Sequence, residues 1–121
     1  MRTPLTFLID MVVVLVFIAI GRSAHAEGNA LLGFLGTAAP FLVAVVIGWA
    51  AALALRMPPE SMRAGAVIWV TTWGMGLVLR AAVFGAGTAW AFVIVAGLSL
   101  ALGLLGWRAV VAGVSRGNPR T

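Results

Sequence analysis

An acid inside an apolar run is the first residue able to do chemistry. Asp10 lies about five residues into the opening run, roughly 8 Å deep at 1.5 Å per residue. A carboxylate at that depth needs a cationic partner or a proton. Arg108, beside Trp107, is the best-placed partner, with Arg56 and Arg63 as rivals. An ion pair locking the first helix to the fourth is preferred over a proton relay.

A second group collects at the opposite level: Arg22 and Arg80 near the ends of helices one and three, His25 just beyond, and Thr37 and Thr88 as expected caps of helices two and four. Two guanidiniums, an imidazole and two helix N-termini, offset only by Glu27, attract anions; lipid phosphate or a transported ion would satisfy them. Side chains tilt toward a helix's N-terminus, so Arg80 is expected to point back over Gly76, along a stripe with Trp69 and Trp73. The bland alternative is that both arginines complement helix dipoles or snorkel to the headgroups.

Catalysis is difficult to build from this inventory. His25 and Asp10 are fifteen residues apart on one helix, about 22 Å along its axis, too far for a base and its orienting partner. With no cysteine in the chain, disulfides, thiolate metal sites and cysteine nucleophiles are excluded. Every one of the 8 basic residues is arginine, so no lysine can act as a Schiff-base or phosphate-loop amine. A lone histidine beside methionines such as Met75 does not make a haem site. The expectation is a non-enzyme with no catalytic residue, no metal and no cofactor.

The elements that position these groups follow from composition. Of 121 residues, 63% are hydrophobic and 9% charged, with a mean hydropathy of +1.14. That is the membrane class. The expected architecture is all-α: one integral membrane bundle of four transmembrane helices over residues 1–121, with spans at about 4–21, 37–55, 63–84 and 88–108 and a polar tail at 114–121. Pro40 is tolerated in the first turn after a Thr37 cap but not in a helix interior, so the second helix is placed from Thr37; the alternative is a longer helix from Ala30, kinked at Pro40. Arg22 is read as the end of the first helix. Ala24-His25-Ala26 resembles a signal cleavage site, but Asp10 and Arg22 fit a signal poorly, and the segment is read as a retained span.

Four spans place both termini on one side. Arg2, Arg56, Arg63, Arg108, Arg116 and Arg120 lie there, against Arg22 and Arg80 opposite, so the positive-inside rule gives cytoplasmic termini in the plasma membrane. The net charge of +5 is thus a topology signal and not a nucleic-acid surface. A shift of 51 residues aligns Gly36-Thr37-Ala38 with Gly87-Thr88-Ala89 and Phe41 with Phe92, as two parallel-repeated helix hairpins would, while shared membrane vocabulary offers a simpler origin. Small-xxx-small pairs such as Ala44/Gly48 and Ser99/Gly103 permit close helix approach.

The order Asp10, Gly21-Arg22 with His25, Pro40-Phe41, Gly48-Trp49, Trp69, Gly74-Met75, Arg80, Phe92 and Gly106-Trp107-Arg108 resembles the domain-of-unknown-function family numbered 3054, small membrane proteins of bacteria and archaea. The resemblance implies four spans and plasma-membrane residence, and brings no activity, ligand or catalytic residue. The reading is a structural or accessory membrane component whose partners are the lipid bilayer and either further copies of itself or another membrane protein. The alternatives are an oligomeric anion or small-molecule binding or transport protein with an arginine-lined outer site, and a three-span protein with a cleaved signal.

Overall fold

The computed structural model describes residues 3–25, 30–82 and 90–117, with side chains over 3–20, 36–82 and 90–114. These residues form four helices: α1 (Thr3–His25), α2 (Ala30–Ala54), α3 (Met62–Ala82) and α4 (Trp90–Gly117). Each contains a stretch long and apolar enough to cross a membrane. In hydrocarbon every backbone N–H and C=O must be satisfied within the segment, which the helix alone does for a single strand of chain.

The helices pack in a ring, α1 on α2, α2 on α3, α3 on α4 and α4 on α1, and α2 with α3 is the closest pair. Buried positions recur every fourth residue: Thr6, Asp10, Val14 and Ile18 on α1, and Ala96, Leu100, Leu104 and Arg108 on α4. This spacing lays one continuous stripe along each helix toward the interior. Asp10 and Arg108 therefore face inward because they occupy stripe positions. Phe41, Ile68, Leu100, Leu104 and Val14 fill the space between, all fully buried.

Two close approaches explain particular glycines. At Gly48 a Cβ would come within 3.1 Å of the Ile68 Cα, so α2 and α3 meet backbone to backbone. The Trp73 ring packs against Gly97, and a Cβ there would stand 2.7 Å from Trp73 Cε2. Trp73 stacks on Trp69 at 5.6 Å. Their indole N–H groups donate to the Val93 carbonyl at 3.0 Å and the Gly97 carbonyl at 2.9 Å, one turn apart on α4.

The connection between α2 and α3 is ordered by backbone chemistry. Met57 N donates to Ala52 O at 3.0 Å and Arg56 N to Leu53 O at 2.9 Å, the Schellman pattern that satisfies a helix's last carbonyls. The residue this motif holds in the left-handed region is normally glycine; here it is Arg56, at φ 59, which costs a side-chain-bearing residue about 1–2 kcal/mol. Ser61 caps α3, its Oγ accepting from Ala64 N at 3.1 Å.

Three boundaries differ from the sequence expectation. Helix α2 begins at Ala30, so Thr37 is two turns inside it and is not its cap, and Pro40 is a buried interior residue. The rule that bars interior proline comes from water-soluble helices; in a membrane bundle neighbouring helices and side chains absorb the lost donor. The apolar span itself, Gly36–Ala54, is close to the expected one. Helix α1 continues past Arg22 to His25, since arginine is a good helix former and its charge suits a C-terminal turn. Helix α4 runs through Gly117, so residues 114–117 of the expected polar tail are helical.

Candidate functional site

Asp10 is the centre of the polar structure. Its Oδ1 accepts from Arg108 Nη1 at 2.9 Å and from the Trp107 indole at 2.9 Å. Its Oδ2 accepts from Arg108 Nη2 at 2.7 Å and from the Trp49 indole at 2.8 Å. Each oxygen thus has two donors, and the carboxylate acts purely as an acceptor. Both charged side chains are fully buried.

Arg108 is equally occupied. Besides its fork onto Asp10, Nη1 donates to the Leu104 carbonyl at 2.9 Å, while Nε and Nη2 donate to the Pro59 carbonyl at 3.1 and 3.0 Å. A guanidinium has five N–H donors, and each has an acceptor here. The planar fork matches the carboxylate bidentately, which lysine could not do. Its Cζ also lies 4.6 Å from the centre of the Trp107 ring.

Each element has a local reason for its part. Arg108 follows Leu104 by one turn, and the backward tilt of helical side chains carries its guanidinium to that carbonyl. Pro59 supplies an acceptor with no donor of its own. Gly65 makes room: a Cβ there would sit 2.6 Å from Arg108 Cδ and 3.0 Å from Leu105 Cδ2. Phe7 braces Trp49 edge to face at 5.2 Å.

Among the sequence-predicted site residues, the structure brings Asp10 and Arg108 together and leaves Arg56 and Arg63 exposed outside the network. Trp49, Trp107, Pro59 and Gly65 were not read as members. The available signal was that a buried indole N–H seeks an acceptor, and that Gly48-Trp49 and Gly106-Trp107 lie at the same end of the chain's path as Asp10.

At the opposite end, Arg80 Cζ lies 4.4 Å above the Phe92 ring. Phe92 meets Phe41 at 6.2 Å, and Phe41 meets Phe17 at 6.0 Å, both edge to face. The space over Gly76 that was expected to receive Arg80 is filled by the Phe41 ring. The reason is size: an aromatic ring from α2 buries far more apolar area there than an arginine stem would. Thr37 is half-buried within α2. The side chains of Arg22 and His25, and Thr88 entirely, lie outside the described residues.

Four apolar helices closed around a buried, fully bonded ion pair define an integral membrane bundle of the multi-pass helical class. Within that class, the chain belongs to the protein family of unknown function DUF3054, whose family model matches residues 7–111, a stretch that includes both Asp10 and Arg108. No curated protein and no solved structure gives a significant match.

Proposed function

We propose that this protein is a non-enzymatic structural or accessory component of the plasma membrane, with both termini in the cytoplasm and α1 retained. The observation that carries the reading is the completeness of the Asp10–Arg108 network. Four donors on the carboxylate, and four oxygens that together accept all five N–H groups of the guanidinium, leave no lone pair or N–H for a substrate or a travelling proton. A relay needs a group that can release one partner and take another. With the buried ion pair fully bonded, contact with other molecules falls to the lipid-facing helix surfaces, through which the chain meets further copies or another membrane protein. The orientation rests on the arginine count without Arg108, whose charge is spent on Asp10: five on the cytoplasmic side against two.

One observation favours a second reading, an oligomeric anion or small-molecule transport protein: Arg80 is held over Phe92 on α4, against the bundle. Anion flux into proteoliposomes, measured for wild type beside Arg80→Gln, separates the two. The scaffold reading expects flux no higher than in protein-free liposomes for both. Flux in the wild type that falls in Arg80→Gln overturns it. A topology reporter at Thr121 checks the orientation.

A further inference from the structure

The connection from α2 to α3 and the first turn of α3 carry one arginine each, both placed where local physics opposes it. Arg56 takes the left-handed backbone conformation that favours glycine. Arg63 is the second residue of α3, where the positive end of the helix dipole repels a cation. Both side chains are exposed. Among the described residues neither has an ion-pair or side-chain hydrogen-bond partner, Glu60 between them included. No side chain among the described residues offsets either penalty.

The backbone between them is fixed. The Schellman bonds hold one side, the Ser61 cap holds the other, and two N–H groups of buried Arg108 grip the Pro59 carbonyl in the middle. The apolar spans end at Ala54 and restart at Met62, with Leu55 and Met62 exposed beside the arginines. Both residues therefore stand at the ends of apolar spans, where an exposed arginine side chain reaches the headgroup level.

We propose that the α2–α3 turn is a binding surface for anionic phospholipid headgroups, with Arg56 and Arg63 holding the phosphate. A guanidinium grips phosphate oxygens in a bidentate fork. Two of them favour a headgroup with net negative charge over a zwitterionic one, whose ammonium they repel. The glycine-like site keeps an arginine because the partner is in the membrane.

The test uses the full chain, delipidated in neutral detergent and titrated with phosphatidylglycerol or phosphatidylcholine, with bound lipid counted by native mass spectrometry. Wild type retains phosphatidylglycerol preferentially; Arg56→Gln and Arg63→Gln each weaken retention about fivefold and the double variant about thirtyfold, the size expected of one surface cation each. Arg116→Gln, with the same loss of charge near the chain's end, keeps the preference. Arg56→Gly separates ligand from fold: it raises the melting temperature of lipid-free protein by about 2 °C by relieving the backbone, while weakening phosphatidylglycerol retention like Arg56→Gln. The proposal is overturned by equal retention of the two lipids in wild type, by an Arg116→Gln loss matching the double variant, or by a fall in lipid-free melting temperature in Arg56→Gly. Displacement of phosphatidylglycerol by equimolar inorganic phosphate also overturns it, because the surface would then be a free-anion site.

Discussion

At one end of the bundle, indoles from α2 and α4 and a backbone carbonyl of the α2–α3 turn converge on the α1 carboxylate and its α4 arginine; at the other, rings from α1, α2 and α4 meet edge to face beneath Arg80. The first junction is directional and complete, so losing any member strands the rest. The second is built from dispersion and quadrupole contacts, which weaken by degrees. The same four helices are thus held by an all-or-nothing joint at one end and a graded one at the other.

The largest effect expected from this contrast comes from breaking the ion pair. Asp10→Asn or Arg108→Gln alone leaves a buried charge uncompensated, a loss of about 3–5 kcal/mol. The double variant should lose much less than the sum, because no orphan remains. Thermal unfolding of the four proteins in detergent measures the coupling. Additive losses would mean that the two side chains do not act as a pair.

Gly65→Ala comes next. Its Cβ would enter the space of Arg108 Cδ, an atom unable to retreat because the guanidinium beyond it is bonded on all sides. A loss of about 2–3 kcal/mol is expected, as for overpacking in a dense interior. Gly106→Ala, with nothing within 4 Å of its added carbon, serves as the control and should be neutral or slightly stabilising, alanine being the better helix former. Equal losses at the two positions would mean that the clash with Arg108 is not the cause, since alanine is the better helix former at both, and the joint would lose its claim to rigidity.

The graded end is probed by Phe92→Leu, which removes one edge-to-face contact and the ring beneath Arg80. The expected loss is about 1–2 kcal/mol, from one aromatic pair and one cation–π contact. A loss as large as that of Asp10→Asn would erase the distinction between the two ends.

Much of the polar end was legible because the physics is severe: an acid within an apolar run demands a partner, and few arginines lie at its depth. Helix number followed from runs of apolar residues for the same reason. The start of α2 was not legible, since Pro40 reads as a helix breaker unless the bundle around it is known. Nor was Gly65, because which glycine faces which side chain depends on helix rotation, and the low-contrast apolar sequence of α3 hardly encodes it. Trp49 and Trp107 stand among the residues that carry the family resemblance, but an indole donor leaves no periodic trace pointing to its acceptor. Side-chain tilt alone points Arg80 to the gap at Gly76, and nothing in the spacing of α2 marks the Phe41 ring that fills it.

The smallest effect belongs to a residue between the two joints. Thr72 is fully buried on the α3 stripe between Ile68 and Gly76, and its hydroxyl has no hydrogen-bond partner among the described residues. A threonine in a helix can return its hydroxyl to a carbonyl one turn back; here it does not, so the group has been removed from a hydrogen-bonding environment without replacement. Burying an unpaired hydroxyl costs about 1–3 kcal/mol, and valine matches threonine in shape while lacking the polar atom. Thr72→Val should therefore stabilise the protein, by about 1 kcal/mol, read as a rise in melting temperature. The direction matters more than the size, since the polar substitutions at the Asp10 joint all go the other way. If Thr72→Val destabilises instead, the hydroxyl is bonded to a trapped water, and the middle of the bundle is a third, wet joint between the two compared above.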